Sequence, residues 1–253
     1  MDGMSSPREA ELAAALAAVR ARLERAAAAV GRDADEIELL PVTKFFPASD
    51  VIILRKFGCT AFGESREPEA SNKVAEVAEL WSEEASTAPI RWHMIGRIQR
   101  NKARTVAGWA YAAHSVDGSA LVGALGRAAT AALEDGRRSA PLRVYIQLSL
   151  DGDPARGGVD VGRPDLVDEL CRLADGTDGL DFAGLMAVPP LEADADASFA
   201  RLEAELGRVQ RSYQQRLGLS AGMSADLETA VRHGSTCVRV GTALLGQRPL
   251  TSP

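Results

Sequence analysis

Two segments near the end of the chain combine residue types that can bind a phosphate group. The first is Ser220-Ala-Gly-Met-Ser-Ala-Asp226, and the second is Cys237-Val-Arg-Val-Gly-Thr242. Each is typical of a strand end, where backbone N–H groups and a hydroxyl meet, and such groups bind anions. Arg239 lies inside the second, otherwise apolar strand. Because a guanidinium keeps its charge at any working pH, a half-buried arginine needs an anion or a hydrogen-bond acceptor beside it.

Lys44 is the candidate reactive group, because it ends the apolar segment Leu39-Leu-Pro-Val-Thr-Lys44. A lysine flanked by apolar residues at the mouth of a barrel can lose part of its hydration. This loss lowers the pKa of the amine and makes it a nucleophile toward an aldehyde. The competing interpretation is a solvated lysine at the start of a loop.

The other candidates also have structural alternatives. Arg239 could form a buried ion pair with a neighbouring strand. Ser224 and Thr242 could cap helices without holding a ligand, and Ser224 is expected to cap the helix that follows it. His93 is expected to be a hydrogen-bonded core residue. The three histidines show no metal-ligand spacing, and no H-E-x-x-H, paired-cysteine or G-x-S-x-G pattern occurs, so the sequence predicts neither a metal site nor a nucleophile elbow.

The elements that must position these residues alternate along the chain. The predicted strands cover residues 38–43, 60–63, 90–95, 109–114, 142–150, 180–188, 219–222 and 236–240. They are nearly continuous in apolar character, as in strands covered on both faces, and the helices between them are long enough to connect parallel strands. A capping box at Ser6-Pro-Arg-Glu9 predicts an additional first helix that ends near Gly31.

This order predicts an α/β fold, a single (β/α)8 TIM-type barrel with an extra N-terminal helix, as one domain over residues 1–253. The alternative, an open doubly wound sheet, needs a glycine-rich turn after an early strand, and no G-x-G-x-x-G is present. In such barrels reactive groups lie at the carboxyl ends of strands, and phosphate sites use the loops after strands seven and eight. The two segments above end predicted strands seven and eight, and Lys44 follows the first strand.

Charge and composition argue against several classes of function. The net charge of −6, from 29 basic and 35 acidic residues, gives no support to nucleic-acid binding. No apolar run is long enough to span a bilayer, and no signal-peptide core is visible. The three cysteines (Cys59, Cys171 and Cys237) are widely spaced, which is typical of reduced thiols in a cytosolic protein. The sequence therefore predicts a cytoplasmic protein without nucleic-acid or membrane partners.

The order of several short motifs resembles the pyridoxal phosphate homeostasis protein family, whose members bind pyridoxal 5'-phosphate (PLP). The resemblance covers roughly residues 5–248, and its six motifs are Pro41-Val-Thr-Lys44, Phe62-Gly-Glu64, Trp92-His-Met-Ile-Gly96, Gly184-Leu-Met-Ala187, Ser220-Ala-Gly-Met-Ser-Ala-Asp226 and Gly234-Ser-Thr-Cys-Val-Arg-Val-Gly-Thr242. Their common order makes the resemblance specific. The family is similar to the barrel domain of fold-type III PLP enzymes such as alanine racemases, without their second β-domain.

The resemblance implies a role for each candidate residue. Lys44 would form the Schiff base with PLP, and Arg239 would face the pyridine nitrogen. Ser65 stands beside the cofactor, where the family usually has asparagine. The implied phosphate-binding loops contain Met223, Ser224, Gly241 and Thr242.

Three arguments favour a carrier over an enzyme. An arginine at the pyridine nitrogen leaves that nitrogen unprotonated, which weakens the ring as an electron sink. Racemisation needs a second acid–base group opposite Lys44, and only Tyr111, Tyr145 and Tyr213 are available for it. Without a covering domain the cofactor is open to water, which favours exchange. We therefore expect a PLP-binding monomer that buffers the cofactor or delivers it to apo-enzymes, without catalytic turnover.

Two kinds of enzyme remain as alternatives. The first is an amino-acid racemase or lyase of low activity that uses PLP at the same site. The second is a barrel enzyme without PLP that acts on sugar phosphates. Sustained turnover of added amino acids would favour the first, and a colourless purified protein that ignores added PLP would favour the second.

Overall fold

The computed structural model describes residues 6–81 and 89–248, in which strands and helices alternate. The strands are β1 (Glu38–Pro41), β2 (Ala61–Glu64), β3 (Arg91–Met94), β4 (Ala112–Val116), β5 (Leu142–Ser149), β6 (Val159–Asp160), β7 (Leu180–Ala187), β8 (Gly218–Ser220) and β9 (Cys237–Val240). The helices are α1 (Pro7–Ala29), α2 (Ala48–Lys56), α3 (Glu69–Leu80), α4 (Ala103–Trp109), α5 (Ser119–Glu134), α6 (Pro164–Asp175), α7 (Ala195–Gln210), α8 (Leu227–Arg232) and α9 (Thr242–Leu245). None of these helices is long and apolar enough to cross a membrane.

Eight parallel strands form a nearly closed barrel in the order β1-β9-β8-β7-β5-β4-β3-β2. A parallel bridge between Val42, just after β1, and Gly63 in β2 joins the two ends of this order. The short β6 pairs with the end of β5, outside the barrel path. Because the strands run in one direction, their carboxyl ends meet at one rim and their amino ends at the other. We call the rim formed by the segments after Pro41, Glu64, Ser220 and Val240 the mouth, and the opposite rim the floor.

Alternation along the strands separates the outer core from the barrel interior. In β5, Val144, Ile146 and Leu148 join the apolar cluster beneath α4–α7, whereas Tyr145 points into the barrel. A second apolar cluster packs α1, α2, α8 and α9 against β1 and β9. The mouth residues are therefore carried on strands that are packed on their outer side.

The extra helix α1 covers the junction between the first and last units of the barrel. As predicted, its Ser6 hydroxyl caps the helix by accepting a backbone N–H bond at 3.1 Å. Arg8 pairs with the buried Asp50 of α2 at 2.6 Å, and Arg22 pairs with Glu228 of α8 at 2.8 Å. Helix α1 thus fastens the units that carry β1 and β9.

The predicted barrel is confirmed, with two differences. The fourth strand was predicted to begin at Trp109 but begins at Ala112, because Trp109 ends α4 and its indole donates a hydrogen bond to Glu67. The two-residue strand β6 was not predicted, and a segment this short carries too little pattern to be recognised. The sequence also predicts a helix from about Glu67 to Glu84 after the second strand; α3 covers Glu69–Leu80, and residues 82–84 lie outside the described residues.

Candidate functional site

The predicted site residues lie on four neighbouring strands of the barrel. From one side to the other these strands are β2, β1, β9 and β8, and all are joined in parallel. The residues at or just below the mouth are Ser65 after β2, Lys44 after β1, Arg239 in β9, Gly241 and Thr242 after β9, and Met223 and Ser224 after β8.

The segment that carries Lys44 lies beside the loop after β9. The backbone N–H of Val42 donates to the carbonyl of Val240 at 2.9 Å. A side chain added to Gly241 would come within 3.7 Å of Val42, so the loop passes close to β1. Lys44 follows two residues later, which places its backbone and the β9 loop on the same part of the mouth.

Ser224 joins the loops after β8 and β9. Its hydroxyl accepts a hydrogen bond from the N–H of Ala243, in the first turn of α9, at 3.1 Å. The prediction that Ser224 caps the following helix, α8, is therefore wrong. That helix begins after Asp226, whose carboxylate accepts the N–H of Met223 at 2.6 Å and fixes the local turn. Gly222, with φ 90°, turns the chain before this loop.

Backbone donors accompany the Ser224 hydroxyl. The N–H groups of Gly241 and Thr242 donate to no residue that the structure describes. The Thr242 side chain is exposed, and Gly241 and Ser224 are half-buried. The loops after β8 and β9 therefore present N–H and hydroxyl groups together, as an anion requires.

Three cationic side chains lie around the ring of Phe45 at the mouth. The Phe45 φ of 71° lies in the left-handed region, which costs a non-glycine residue about 1–2 kcal/mol. The Lys44 Nζ lies 5.7 Å from the centroid of its ring, and the guanidinium carbons of Arg66 and Arg248 lie at 5.8 Å and 4.0 Å. This concentration of cations favours a negatively charged ligand at the mouth.

Lys44 and Lys73 have different surroundings, although both belong to the mouth. Lys44 is exposed and forms no ion pair with any described residue. Lys73 is bound instead, because its Nζ donates to the carboxylate of Glu64 at 2.7 Å and to the backbone carbonyl of Thr43 at 2.8 Å. The Thr43 hydroxyl also donates to Glu64, at 2.7 Å. Lys44 is therefore the mouth lysine whose amine has no carboxylate partner among the described residues.

This network around Glu64 was not predicted from the sequence. Glu64 is buried, and a buried carboxylate needs a cation and donors around it. The available signal was an acid at the end of an apolar strand in Phe62-Gly-Glu64, with Lys73 on the next helix. The network holds the last residues of β1 and β2 together just before Lys44.

Arg239 is a buried cation that is held by neutral groups. Its Nη1 donates to the Ser220 hydroxyl at 2.6 Å, and its Nη2 donates to the carbonyl of Ala187 at 3.0 Å. No described carboxylate pairs with it, so the alternative of a buried ion pair is wrong. Burial lowers the pKa of Arg239, but a guanidinium stays protonated in proteins. A ligand acceptor next to Arg239 would meet a charge that no carboxylate in residues 6–81 and 89–248 pairs.

A line of buried polar groups continues from Arg239 into the barrel. The Ser220 Oγ lies 2.8 Å from Nδ1 of His114, and Nε2 of His114 lies 2.9 Å from Nδ1 of His93. Burial lowers the pKa of His93 to about 3 and also lowers that of His114, so both rings are neutral. His93 is confirmed as a core residue, but its Nε2 has no hydrogen-bond partner within the described chain. The sequence analysis did not predict this connection.

None of the three tyrosines lies at the mouth. Tyr111 precedes β4 and Tyr145 lies within β5, and both line a cavity at the floor. Tyr213 packs edge-on against Phe182 of the outer core, with ring centroids 5.1 Å apart. A tyrosine is therefore not placed to face Lys44 across a bound ligand.

Ser65 is half-buried beside the loop that follows β3. A Cβ on Gly96 would lie 2.0 Å from the Ser65 carbonyl oxygen, so the two backbones are in close contact. The Ser65 hydroxyl makes no hydrogen bond with a described residue. Its place at the end of β2 leaves it free to contact a ligand between β2 and β1.

Comparison with known proteins places these features in a family. The family model described as alanine racemase, N-terminal domain, matches residues 14–249. A protein of Mycobacterium tuberculosis named pyridoxal phosphate homeostasis protein is 58% identical over 248 residues, which cover 97% of this chain and 96% of that protein.

Solved structures show the same barrel. PipY of Synechococcus elongatus, determined with PLP bound, has a TM-score of 0.75 and 31% sequence identity, and the match covers 93% of this chain and 100% of PipY. Alanine racemase from Streptomyces lavendulae has a TM-score of 0.64 at 17% identity, and the match covers 92% of this chain and 56% of the racemase. The likeness to the racemase is one of fold alone.

Proposed function

The chain belongs to the pyridoxal phosphate homeostasis protein family, and on that basis we propose that it binds PLP at the barrel mouth, reversibly through Lys44, and buffers or delivers the cofactor. One observation carries this proposal. Among the described residues, the exposed amine of Lys44 has no carboxylate partner, and the backbone donors of the adjoining β9 loop bind no other group. Both lie above the buried Arg239, which no described carboxylate pairs. An anionic aldehyde with a ring acceptor matches these three features.

The residues at the mouth fit the parts of PLP. Bound PLP supplies an aldehyde that condenses reversibly with a primary amine, and Lys44 offers that amine. The Ser224 hydroxyl and the N–H groups of Gly241 and Thr242 would hold the phosphate, with Met223 in the same loop. Arg239 would donate to the pyridine nitrogen, and Ser65 would add a polar contact.

The surroundings of the site support a carrier without turnover. Arg239 holds its proton too firmly to protonate the pyridine nitrogen, so the ring remains a weak electron sink. A racemase also needs an acid–base group opposite Lys44, and the tyrosines lie elsewhere. The alternative is a PLP-dependent racemase or lyase of low activity. Sustained turnover of D- or L-amino acids by the PLP-loaded protein, abolished by Lys44→Ala, would favour that alternative.

We further propose that residues 1–253 act as one domain, as a monomer in the cytoplasm, and that PLP-dependent apo-enzymes receive the cofactor. The exposure of Lys44 supports transfer, because water and a recipient protein can reach its amine directly. The net charge of −6 supports the absence of a nucleic-acid partner. Gel filtration with light scattering would test the monomer, and loading of an apo-enzyme from the PLP-bound protein would test delivery.

The decisive experiment locates the covalent bond. The chain has only four lysines, Lys44, Lys56, Lys73 and Lys102, so peptide mass spectrometry after borohydride reduction can assign a pyridoxyl group to one residue. We expect the adduct on Lys44. Lys44→Ala should remove it, whereas Lys56→Ala, a matched change at the end of α2, should leave it in place. An adduct on another lysine in the wild-type protein would contradict the proposal.

A further inference from the structure

A cavity lies at the floor of the barrel, opposite the mouth. Its volume is about 740 Å³, within the range of roughly 300–1,000 Å³ that is usual for small-molecule sites. We call it the floor cavity, and its inner lining consists of Glu38, Arg91, Tyr111, Arg143, Tyr145 and Gly218. None of the residues that we assign to PLP lines it.

Two arginines and a tyrosine form one wall of the floor cavity. The guanidinium carbons of Arg91 and Arg143 lie 5.6 Å and 5.7 Å from the centroid of the Tyr111 ring. The Nη1 of Arg143 donates to the Tyr111 hydroxyl at 3.1 Å. The side chains of Arg91 and Arg143 are 43% and 38% exposed, so a ligand can reach both. Since a guanidinium has five N–H donors, most donors on this wall remain available.

The existing partners of these arginines are replaceable. Arg91 donates to the Glu38 carboxylate at 2.7 Å, and Arg143 lies 3.2 Å from the half-exposed carboxylate of Asp181. The Arg143–Asp181 pair is exposed and therefore weak, because water screens its charges, whereas the Arg91–Glu38 pair is partly buried. In addition, Nε of Arg91 is buried without a hydrogen-bond partner among the described residues, and Nε of Arg143 lies 3.2 Å from Asp181 without forming a hydrogen bond. A ligand carboxylate would therefore compete with a weak exposed pair at Arg143 and would have to replace Glu38 at Arg91.

Tyr145 adds a neutral donor to the same cavity. It is buried, its hydroxyl makes no hydrogen bond with a described residue, and burial raises its pKa, so it keeps its proton. The outer part of the cavity lining contains two basic and three acidic residues, so it carries no excess of positive charge. These residues are Arg20, Arg216, Glu24, Asp35 and Glu36. The preference for an oxyanion thus comes from the inner wall, where donors outnumber acceptors.

The buried line of polar groups runs from Arg239 to His93, whose Nε2 lies 3.7 Å from Glu38 in the lining of this cavity. Arg239 can only donate, so the Ser220 oxygen accepts its N–H at 2.6 Å. Ser220 can then donate its hydroxyl proton to Nδ1 of His114, and Nε2–H of His114 can donate to Nδ1 of His93. In this order His93 carries its proton on Nε2. In the opposite order Nε2 of His93 would carry no proton and its lone pair would face Glu38, whose Oε2 lies 3.7 Å away. The negative charge of Glu38 favours the first order.

Two N–H donors therefore lie near Glu38, and it forms a hydrogen bond with only one of them. It is bound to Arg91 at 2.7 Å and stands 3.7 Å from Nε2 of His93. The His93 side chain is 2% exposed, and its Nε2 has no hydrogen-bond partner in the part of the chain that the structure describes. An anion that takes over Arg91 would release Glu38 to close this gap. Closing it would satisfy the buried N–H and would polarise the line that ends at Arg239.

We propose that the floor cavity binds a small organic acid through its carboxylate, held by Arg91, Arg143 and Tyr145, and that Glu38 then transfers its hydrogen bond from Arg91 to His93. The second part rests on the proposed function, because it links the floor to the arginine that faces PLP. The first part stands without PLP.

Calorimetric titration of the PLP-free protein with succinate tests the first part. Saturable binding is expected, and Arg91→Gln and Arg143→Gln should each raise the Kd about tenfold or more, since each removes a charged hydrogen-bond donor. The exposed Arg172→Gln on α6 is the matched control and should leave the Kd unchanged. Tyr145→Phe removes a single hydroxyl and should weaken binding severalfold, so it tests the site even where an arginine variant fails to fold.

The outcomes separate the two proposals. An absence of saturable heat, or equal affinity in all four variants, overturns the floor site while leaving PLP binding at the mouth untouched. Tighter binding of inorganic phosphate than of succinate overturns the assignment to a carboxylate. For the second part, succinate should change the absorbance of PLP bound to the wild-type protein and leave it unchanged in Glu38→Gln. An identical change in that variant overturns the link through Glu38.

Discussion

The two ends of the barrel differ in whether carboxylates pair with their cationic side chains. At the mouth, Lys44 and Arg66 form no ion pair with a described carboxylate, and the buried Arg239 is held by neutral oxygens. At the floor, Arg91 and Arg143 each have a carboxylate beside them, from Glu38 and Asp181. On the proposed functions, an anionic ligand at the mouth would meet cations that no described carboxylate pairs, with the exception of Lys73, which is bound to Glu64. A ligand at the floor would instead have to displace a protein carboxylate from each arginine.

The line of groups between Arg239 and His93 connects these two ends. Its members are almost completely buried, and its contacts of 2.6 Å, 2.8 Å and 2.9 Å are short. Because hydrogen bonds in a buried chain polarise one another, the proposed change at the floor would alter the hydrogen bonds of this line as far as Arg239. Substitutions at the mouth, at the floor and in the connecting line can therefore test the difference between the two ends.

The largest effect is expected from Glu64→Ala at the mouth. This change leaves the ammonium of Lys73, which is only 12% exposed, without its anion. Removal of one partner from a buried pair typically costs about 3–5 kcal/mol. The free energy of unfolding, measured by urea titration, should fall by about that amount. Glu134→Ala, at an exposed position of α5, is the control and should change it by less than about 0.5 kcal/mol. An equal, small effect of both changes would contradict a structural role for the network.

The next effect concerns acid. Because the pKa of His93 falls to about 3 in the folded protein and that of His114 is also lowered, the unfolded chain takes up these protons first as the pH decreases. Stability is complete above the unfolded pKa of about 6.5 and decreases as the pH falls toward 3. Each ring contributes about 1.4 kcal/mol per pH unit, so the pair should cost about 2–3 kcal/mol between pH 6 and pH 5.

Unfolding of His114→Gln at both pH values would check this slope. The variant should lose about half of the acid sensitivity, whatever its stability at pH 7.

His233 is an informative contrast, because burial lowers its pKa but hydrogen bonds to Glu203 and Asp196 outweigh this and raise it. Its contribution to stability is present below about pH 6.5 and is lost as the pH rises through the raised pKa. His233→Gln should therefore not change the loss of stability between pH 6 and pH 5 that His93 and His114 cause. An equal loss of stability in His114→Gln and in the wild type would contradict neutral histidines in the interior line.

The sequence was sufficient for the fold and for the residue types at the mouth. Apolar runs and helical stretches of regular length predicted the barrel, and Lys44 and Arg239 were recognisable because each needs a partner that its neighbours in sequence do not supply. The contacts themselves were not predictable. Ser224 was assigned to α8, but its partner Ala243 lies on another unit. Sequence spacing determines which residues share a rim, whereas side-chain pairing depends on barrel closure.

The interior line shows the same limit more clearly. His93 and His114 are 21 residues apart, and His114 and Ser220 are 106 residues apart. No local pattern relates residues across such distances, and an inward-facing histidine has many possible partners. The floor cavity was not predicted for a related reason. Its wall is formed by the first residues of several strands, which are also the least certain bounds of a predicted element.

A smaller effect is expected from Gly96→Ala, which disturbs the mouth and not the floor. The new Cβ would lie 2.0 Å from the Ser65 carbonyl oxygen, so the backbone after β2 must move. The free energy of unfolding should fall by about 1–3 kcal/mol, and PLP should dissociate faster. Gly207→Ala in α7 is the matched control, since its Cβ meets nothing within 4 Å and a helical alanine should stabilise slightly. Unchanged PLP release from Gly96→Ala would separate Ser65 from the site.

The smallest effect distinguishes the two ends most sharply. Ser224→Ala removes the hydroxyl that accepts the N–H of Ala243 at 3.1 Å, and loss of such a cap costs about 1 kcal/mol of unfolding free energy. Because the same hydroxyl is assigned to the phosphate, the Kd for PLP should rise about tenfold while the Kd for succinate at the floor stays constant. Ser49→Ala, at an exposed position of α2, should alter neither. Parallel weakening of both ligands in Ser224→Ala would mean that the change loosens the barrel as a whole, and Ser224 would then be a structural residue and not a phosphate ligand.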